Sequence, residues 1–297
     1  MRKIIYDLAL ADRVDAYLSE LDLELSRSEI QRMIKSGDIL VNDEKVKASY
    51  KLVLDDVISV APILEVDDTI VPIDFPIEVI YEDEDLIVIN KPQGLVVYPG
   101  SGREDKSVVA ALLGMGVALY ESEDKLRIGI VHRLDKDTSG LMILSKSEKA
   151  HFDLMAAFKD RSVVRKYYAL VDGVVLHNFG TIDAPIGRDE HNRTKMAIVG
   201  DGREAKTFFK LKEKTRHASL LECELYTGRT HQIRVHMQYI KHPIIGDPIY
   251  RKKTIVESDN LMLQSFNLEF SHPIDGREMK FELPLREDFT LLMNGDE

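Results

Sequence analysis

Tryptophan is absent from the 297-residue chain and cysteine occurs once. A single thiol cannot close a disulfide within the chain, so a covalently stapled scaffold is excluded. Cys223 sits inside SLLECELY, an alternating run that reads as a strand. Long apolar runs are missing too: nothing approaches the roughly 20 residues of a membrane helix. The opening MRKIIYDLALADRVDAYL meets Asp7, Asp12 and Arg13 before a leader core can form. There is no internal repeat and no low-complexity tract. Hydrophobic residues at 44% and charged residues at 31% leave the composition of a soluble globular protein, neither collagen-like nor disordered, and a cytoplasmic one is expected.

Positive charge is also in short supply, with 40 Lys and Arg against 51 Asp and Glu and a net charge of -11. That balance alone opposes a nucleic-acid partner. The charges are segregated, however. Lys125 to Tyr168 holds 10 basic residues against 5 acidic, Arg188 to Arg216 holds 9 against 5, and Tyr226 to Lys253 holds 6 against 1. An acidic molecule with such segments can still present a basic surface to a polyanion.

The pattern along the chain predicts two parts. In ADRVDAYLSEL, Val14, Tyr17, Leu18 and Leu21 recur at helical spacing. SRSEIQRMIKSG reads as a second helix, with Ser26 or Ser28 as N-cap, Ile30, Met33 and Ile34 on one face, and Gly37 as the stop. Arg27, Arg32 and Lys35 project from it. DILVNDEKVK follows as strand, turn at Asn42-Asp43, and strand; KLVLDDVISV adds a strand pair around Asp55-Asp56. The stretch from Pro62 to Pro76, with three prolines and four acids, reads as connecting chain, with a short strand over Val66 to Val71. The expected boundaries are a module at 1–65, a linker at 66–76 and a larger domain at 77–297.

In the larger part YEDEDLIVINKP reads as a strand ending at Pro92, KAHFDLMAAFKD as an amphipathic helix and RKYYALVDGVV as a strand. FKLKEKTRHASLLECELYTG reads as an antiparallel pair, RTHQIRVHMQYIKH as a helix and MKFELPL as a late strand. Strands and helices mix without a βαβ period, which predicts α+β with a largely antiparallel sheet.

HRLDKDTSG, residues His132 to Gly140, sets Asp135 beside Arg133 in a polar turn between apolar runs. Asp135, Asp137, Ser139 and Gly140 fall on calcium-loop positions, but Lys146 stands where a bidentate acid is required. Asp135-Lys136-Asp137-Thr138 also matches the DxDxT nucleophile string of haloacid-dehalogenase-type phosphotransferases, which need magnesium and a later acidic pair. Asp247 and Asp259 offer no clear pairing for that metal. His231, His236 and His242 lie five and six residues apart, which misses the i, i+4 pairing of a helical zinc site. GSGRED after Tyr98 resembles only part of a phosphate loop and reads as a flexible loop facing a partner.

Four further strings, NKPQGLVVYP, RKYYALVDG, TGRTHQIRVHM and HPIIGDPIY, occur in order around HRLDKDTSG. With the first module they resemble the RluA-like family of pseudouridine synthases, in the RluD-like branch that carries an N-terminal alpha-L RNA-binding module. The resemblance covers nearly the whole chain. It implies an α+β fold: the small module, then a catalytic domain on a mixed, largely antiparallel sheet flanked by helices. It implies a cofactor-independent isomerase acting on structured RNA, in this branch large-subunit ribosomal RNA or its precursor, with no membrane and no obligate protein partner. A non-catalytic RNA-binding or ribosome-assembly factor is the alternative of another class, and a metal-dependent phosphotransferase the third.

The family's catalytic aspartate falls on Asp135, its active-site tyrosine on Tyr167 and its buried arginine on Arg234 rather than Arg229. The arginine that enters the RNA stack as the base leaves it falls on Arg133. Arg234 is expected to face Asp135 through charge-assisted hydrogen bonds, and His231 to orient a neighbour or meet phosphate alongside Arg229. Arg27, Arg32 and Lys35 are the expected RNA contacts of the first module. Tyr98 stands where a histidine is common, Gln264-Ser265 where His-Ala is frequent, and Lys241 and Arg251 at frequent glycine positions.

Overall fold

The computed structural model describes residues 2–8, 12–21, 23, 25, 27–62, 70–99, 106–122, 124–192, 195–250 and 255–296, the side chain of Ser28 apart. By contact density the chain divides into two units, Met1–Asp67 and Asp68–Glu297.

The first unit holds β1 (Arg2–Ile5), α1 (Val14–Glu20), α2 (Arg27–Ser36), β2 (Ile39–Val41) and β3 (Val57–Val60). The strands form an antiparallel sheet in the order β1-β3-β2. Ile30 and Ile34, one helical turn apart, are buried with Val14, Leu18, Ile39 and Ile58, which is why this short amphipathic segment is helical. The Asn42-Asp43 turn forms, both residues having positive φ (52° and 63°), as a tight two-residue turn requires. The strand expected after it does not. Asn42 instead ties to a second turn, donating to Asp56 Oδ1 (2.8 Å) and accepting from the Val57 N–H (2.9 Å). The returning chain becomes β3 and takes β2 as its partner. Of KLVLDDVISV only β3 is a strand, with Lys51 making a lone bridge to Arg13. Ser28 lies within α2 and is not its N-cap, and Ser26 lies outside the described residues. So does most of the strand expected over Val66 to Val71, of which Ile70 and Val71 are not in a strand.

The second unit runs β4 (Glu78–Glu82), β5 (Leu86–Lys91), α3 (Val108–Gly114), β6 (Ser139–Ser145), α4 (Glu148–Lys159), β7 (Val164–Asp172), β8 (Phe179–Asp183), β9 (Ile186–Arg188), β10 (Met196–Ile198), β11 (Lys206–Lys214), β12 (Ala218–Leu225), α5 (Gln232–Tyr239), β13 (Leu263–Ser271), β14 (Glu278–Glu282) and α6 (Glu287–Asn294). The large sheet has the order β4-β5-β6-β13-β7-β12-β11-β8, with β14 also on β13. Among the described residues the β6–β13 pair is parallel and the other pairs are antiparallel. This is the mixed, largely antiparallel α+β sheet that the family resemblance implies.

YEDEDLIVINKP is two strands rather than one. Asp83 breaks it, its Oδ1 accepting the N–H groups of Asp85 (2.8 Å) and Leu86 (2.9 Å) in an Asx turn. The first apolar run before HRLD supplies only a bridge from Ile130 to Leu144. The middles of β5 (Leu86 to Ile89) and β6 (Leu141 to Leu144) are continuously apolar because both faces of the sheet are covered. Ile87, Ile89, Met142 and Leu144 pack into the core with α3 and α5, while Leu86, Val88, Leu141 and Ile143 pack with Leu154 of α4. At the parallel seam β6 approaches β13 so closely that a Cβ on Gly140 (φ 111°) would lie 2.1 Å from the Ser265 carbonyl oxygen. Only glycine fits there.

Candidate active site

HRLDKDTSG forms the turn that enters β6, and side chains on two sides clamp it. Lys91, fully buried at the end of β5, donates from Nζ to the carbonyls of Pro92 (2.8 Å), Leu95 (2.8 Å) and Lys136 (2.9 Å). Burial pulls its pKa down to about 8, against the opposing pull of Asp137 and Asp135. At neutral pH it therefore still carries three donors for three carbonyls. Gln93 donates to the carbonyls of Asp137 (2.8 Å) and Leu261 (2.6 Å). On the other side His132 Nε2 accepts the Ile143 N–H (3.1 Å), and its ring stacks on Phe158 of α4 at 4.5 Å. Burial, helped by the charge of Arg165, lowers the His132 pKa to about 3 and keeps the ring a neutral acceptor.

The turn carries Asp135 to Arg234 on α5, whose Nη1 donates to Asp135 Oδ2 at 3.2 Å. The stronger bond of Arg234 goes elsewhere. Its Nε and Nη2 grip Asp247 in a bidentate pair (2.8 and 2.9 Å). Asp247 Oδ1 also accepts the N–H groups of Ile249 (2.8 Å) and Tyr250 (3.0 Å). Both side chains are buried, at 2% and 1% exposure. Burial opposes both charges, but the mutual hydrogen bonds outweigh it, raising the Arg234 pKa and lowering that of Asp247. Arg234 thus sits between a fully committed carboxylate and Asp135, which lines the cleft. Gly246 (φ 74°) makes this junction possible, since a Cβ there would lie 1.7 Å from the Asn260 carbonyl oxygen.

Arg133, Asp135, Tyr167, Arg229, His231 and Arg234 all line one cleft of about 510 Å³. Tyr167 is buried on β7 between Ser265 of β13 and Cys223 of β12. Burial raises its pKa, against the opposing charge of Arg165. Tyr168 points the other way and stacks on Phe266 at 3.7 Å. His231 caps α5 in the left-handed region (φ 57°). Its Nδ1 lies 2.8 Å from the Tyr250 hydroxyl, and its Nε2 lies 3.9 Å from Asp135. Burial lowers its pKa despite Asp135. Exposed Arg133 donates to the hydroxyl of Tyr98 (3.2 Å), whose ring also carries Arg127. Arg229 donates to the Glu204 carbonyl (2.9 Å).

In the first unit Arg32 and Lys35 are exposed, whereas Arg27 leans back to the buried Asp15 at 3.4 Å. The other two histidines of the zinc reading go to separate partners. His236 meets Thr207 and the Ala184 carbonyl, and His242 meets the Asp172 carbonyl. GSGRED and Arg251 lie outside the described residues. Lys241 keeps the left-handed conformation (φ 69°) for which its position favours glycine.

Asp247, which has no clear pairing for a metal in the sequence, has Arg234 as its partner. The string HPIIGDPIY contained that signal, an acid after a glycine in an apolar context. Lys91 and His132 stood within quoted strings without a role of their own. So did Gln232, in TGRTHQIRVHM. Buried, it accepts from Thr227 Oγ1 (2.7 Å) and the Arg229 N–H (3.0 Å), and it donates to the Lys206 carbonyl and Thr207 Oγ1 (3.0 Å each), fixing the GRTHQ turn.

Comparison with known proteins bears on this architecture. Residues 85–239 match the RNA pseudouridylate synthase family and residues 12–58 match the S4 domain. The chain is 41% identical to a Bacillus subtilis protein named "Uncharacterized RNA pseudouridine synthase YlyB" over 95% of this chain and 93% of that one. It is 41% identical to "Ribosomal large subunit pseudouridine synthase D" of Xanthomonas campestris, covering 98% and 91%. A protein of the same name from Escherichia coli O6:H1 is 38% identical, covering 96% and 90%. Among solved structures, "Human RNA Pseudouridylate Synthase Domain Containing 1" shares the fold with a TM-score of 0.59 at 24% identity, covering 70% of this chain and 83% of that one. The DxDxT match in HRLDKDTSG is therefore no sign of a phosphotransferase. The chain belongs to the RluA-like family of RNA pseudouridine synthases, isomerases of uridine in RNA, with an S4 module at its N-terminus.

Proposed function

We propose that this chain isomerises specific uridines of large-subunit ribosomal RNA or its precursor, in the cytoplasm, with Asp135 as the catalytic carboxylate. The reaction breaks the bond from C1′ of the ribose to N1 of uracil, rotates the base and rejoins it through C5. The C5 proton leaves and N1 gains one, so atoms and electrons balance without a cofactor. The observation that carries the reading is the chain Asp135–Arg234–Asp247. It presents one carboxylate to a cleft and fixes the arginine beside it with the other, which two backbone N–H groups also hold.

In this reading Arg234 holds Asp135 toward the sugar, and Tyr167 supports the extruded base. Arg133 fills the vacated stack, a role that requires it to leave Tyr98, while Arg229 and His231 meet the strand beside it. Flipping the uridine costs a few kcal/mol, which contacts along a basic cleft offset. Residues 1–65 would serve as the RNA-binding module, with Arg27, Arg32 and Lys35 toward phosphate, 66–76 as linker and 77–297 as catalytic domain. The module has 7 basic against 11 acidic residues from Asp12 to Val60. It therefore suits recognition of local RNA shape better than bulk attraction.

Pseudouridine mapping of total RNA from cells with and without the gene, complemented by wild type and by Asp135→Asn, tests this. The expected result is a set of large-subunit sites that vanish and return with wild type alone, while the variant folds and binds RNA. Product formed by Asp135→Asn would sink the assignment. A ribosome-assembly defect rescued equally by both, with no site lost, would point to the binding factor instead.

A further inference from the structure

Arg165 is a buried charged group of the cleft with no part in holding Asp135. It lies on β7 two residues before Tyr167, so the two side chains share a face of the strand. It is 8% exposed and lines the same cleft as Asp135. Among the described residues no acid pairs with it, and its Nε is buried without a hydrogen-bond partner. The contact found for its guanidinium is the face of Phe158, 5.3 Å from the ring centre. Nη1 is given room by Gly228 of the TGRT turn, where a Cβ would stand 3.0 Å away. Arg234, across the same cleft, has two carboxylates.

A buried guanidinium without a counter-ion is costly, and one cation–π contact offsets only part of that cost. Such a group is kept when the ligand brings the missing charge. Lys159, Arg161 and Arg229 line the same cleft, so the ligand that fits is a polyanion. A neutral base carbonyl would leave the charge uncompensated, whereas a phosphodiester offers two oxygens in the geometry of the guanidinium fork. We infer that Arg165 is a phosphate subsite, which binds the phosphodiester next to the uridine held at Asp135. This rests on the proposed RNA substrate.

The test uses a transcript of the RNA hairpin that carries the mapped target uridine, and two versions with one neutral methylphosphonate linkage, 5′ or 3′ of that uridine. Wild type should lose about tenfold to a hundredfold in kcat/KM on one of the two, the worth of a charge-assisted hydrogen bond. Arg165→Gln should lose as much on the ordinary transcript and nothing further on that modified one. Arg165→Lys should fall between, and the slope of log affinity against log salt should drop by about 1 in Arg165→Gln. Arg165→Met should melt at or above the wild-type temperature, because it removes an unpaired buried charge. Losses of Arg165→Gln that multiply with those of both modified linkages would overturn the subsite. So would an Arg165→Met protein that melts several degrees lower, since the guanidinium would then be structural. A wild type without turnover on the transcript would overturn the RNA reading itself and the subsite with it.

Discussion

At the scale of single residues, the site is defined by how two arginines of one cleft are treated. Arg234 is neutralised twice over, and its orientation is dictated by Asp247 rather than by Asp135. Removing Asp247 would leave a buried guanidinium with a single 3.2 Å contact. Asp247→Ala is therefore expected to cost about 3–5 kcal/mol, the usual result of breaking a buried ion pair from one side. It should also reduce turnover, because Asp135 loses its fixed partner. Urea unfolding reads the first effect and single-turnover kinetics the second. An Asp247→Ala protein with an unchanged urea midpoint would show that the pair does not hold the site. Lys91 and His132 act at the same scale. Each is a titratable side chain given to backbone groups of the catalytic turn and its strand, and so removed from the chemistry.

At the scale of elements, the first unit depends on a buried carboxylate at the start of α1. Asp15 accepts from Arg13 Nε (2.8 Å) and Nη2 (2.9 Å), and from Gln31 Nε2 on α2 (2.6 Å), with Arg27 at 3.4 Å. The hydrogen bond from Arg13 prevails over burial and lowers its pKa from 3.8 to about 2. A carboxylate whose folded pKa is depressed stabilises the fold above its unfolded value and loses that contribution as pH falls through the folded one. Hydrogen-exchange protection of the α1 amides, corrected for intrinsic rates, should therefore fall between about pH 4 and pH 2. In Asp15→Asn it should already be lower at pH 5 and change little across that range. Equal pH slopes in the two proteins would refute the role. In the second unit the comparable device is steric. Gly140 lets β6 lie against β13, and the strand that carries Ser265 to Tyr167 is thereby set beside the turn that carries Asp135.

At the scale of the whole molecule, a protein of net charge -11 presents a cleft lined by several arginines and by Lys159. The distribution follows from the folding of three basic segments into one unit, while acid is concentrated in the first 90 residues and near the C-terminus. Association with RNA should weaken as salt rises, since each phosphate contact releases counterions. Lys159→Gln and Arg229→Gln should each reduce the slope of log affinity against log salt by about 1. Affinity that is flat across a salt titration would contradict a phosphate-lined path into the cleft.

What the sequence by itself determined is local in origin. Apolar periodicity gave α2, α4 and α5, alternation gave β7, β11 and β12, and the Asn42-Asp43 pair gave a turn. Its motifs, taken in order, indicated the family and singled out Asp135, Tyr167 and Arg234. Period alone failed where one residue redirected the chain, as Asp83 splits YEDEDLIVINKP, or where a strand found a distant partner, as β2 found β3. The family resemblance had set Arg234 against Asp135, but the tertiary structure alone decided the other partners. Arg234 grips Asp247 with two of its nitrogens, and Gln93 reaches Leu261 across 168 residues. Nothing in the strings around them sets those pairings. They follow from sheet register, and a slip of one residue would turn Arg165 and Tyr167 away from the cleft together. Whether a buried charge has a partner is likewise a property of the packed interior. Asp247 and Arg165 look alike in the sequence, each a charge in an apolar string, yet the fold pairs the first and leaves the second bare.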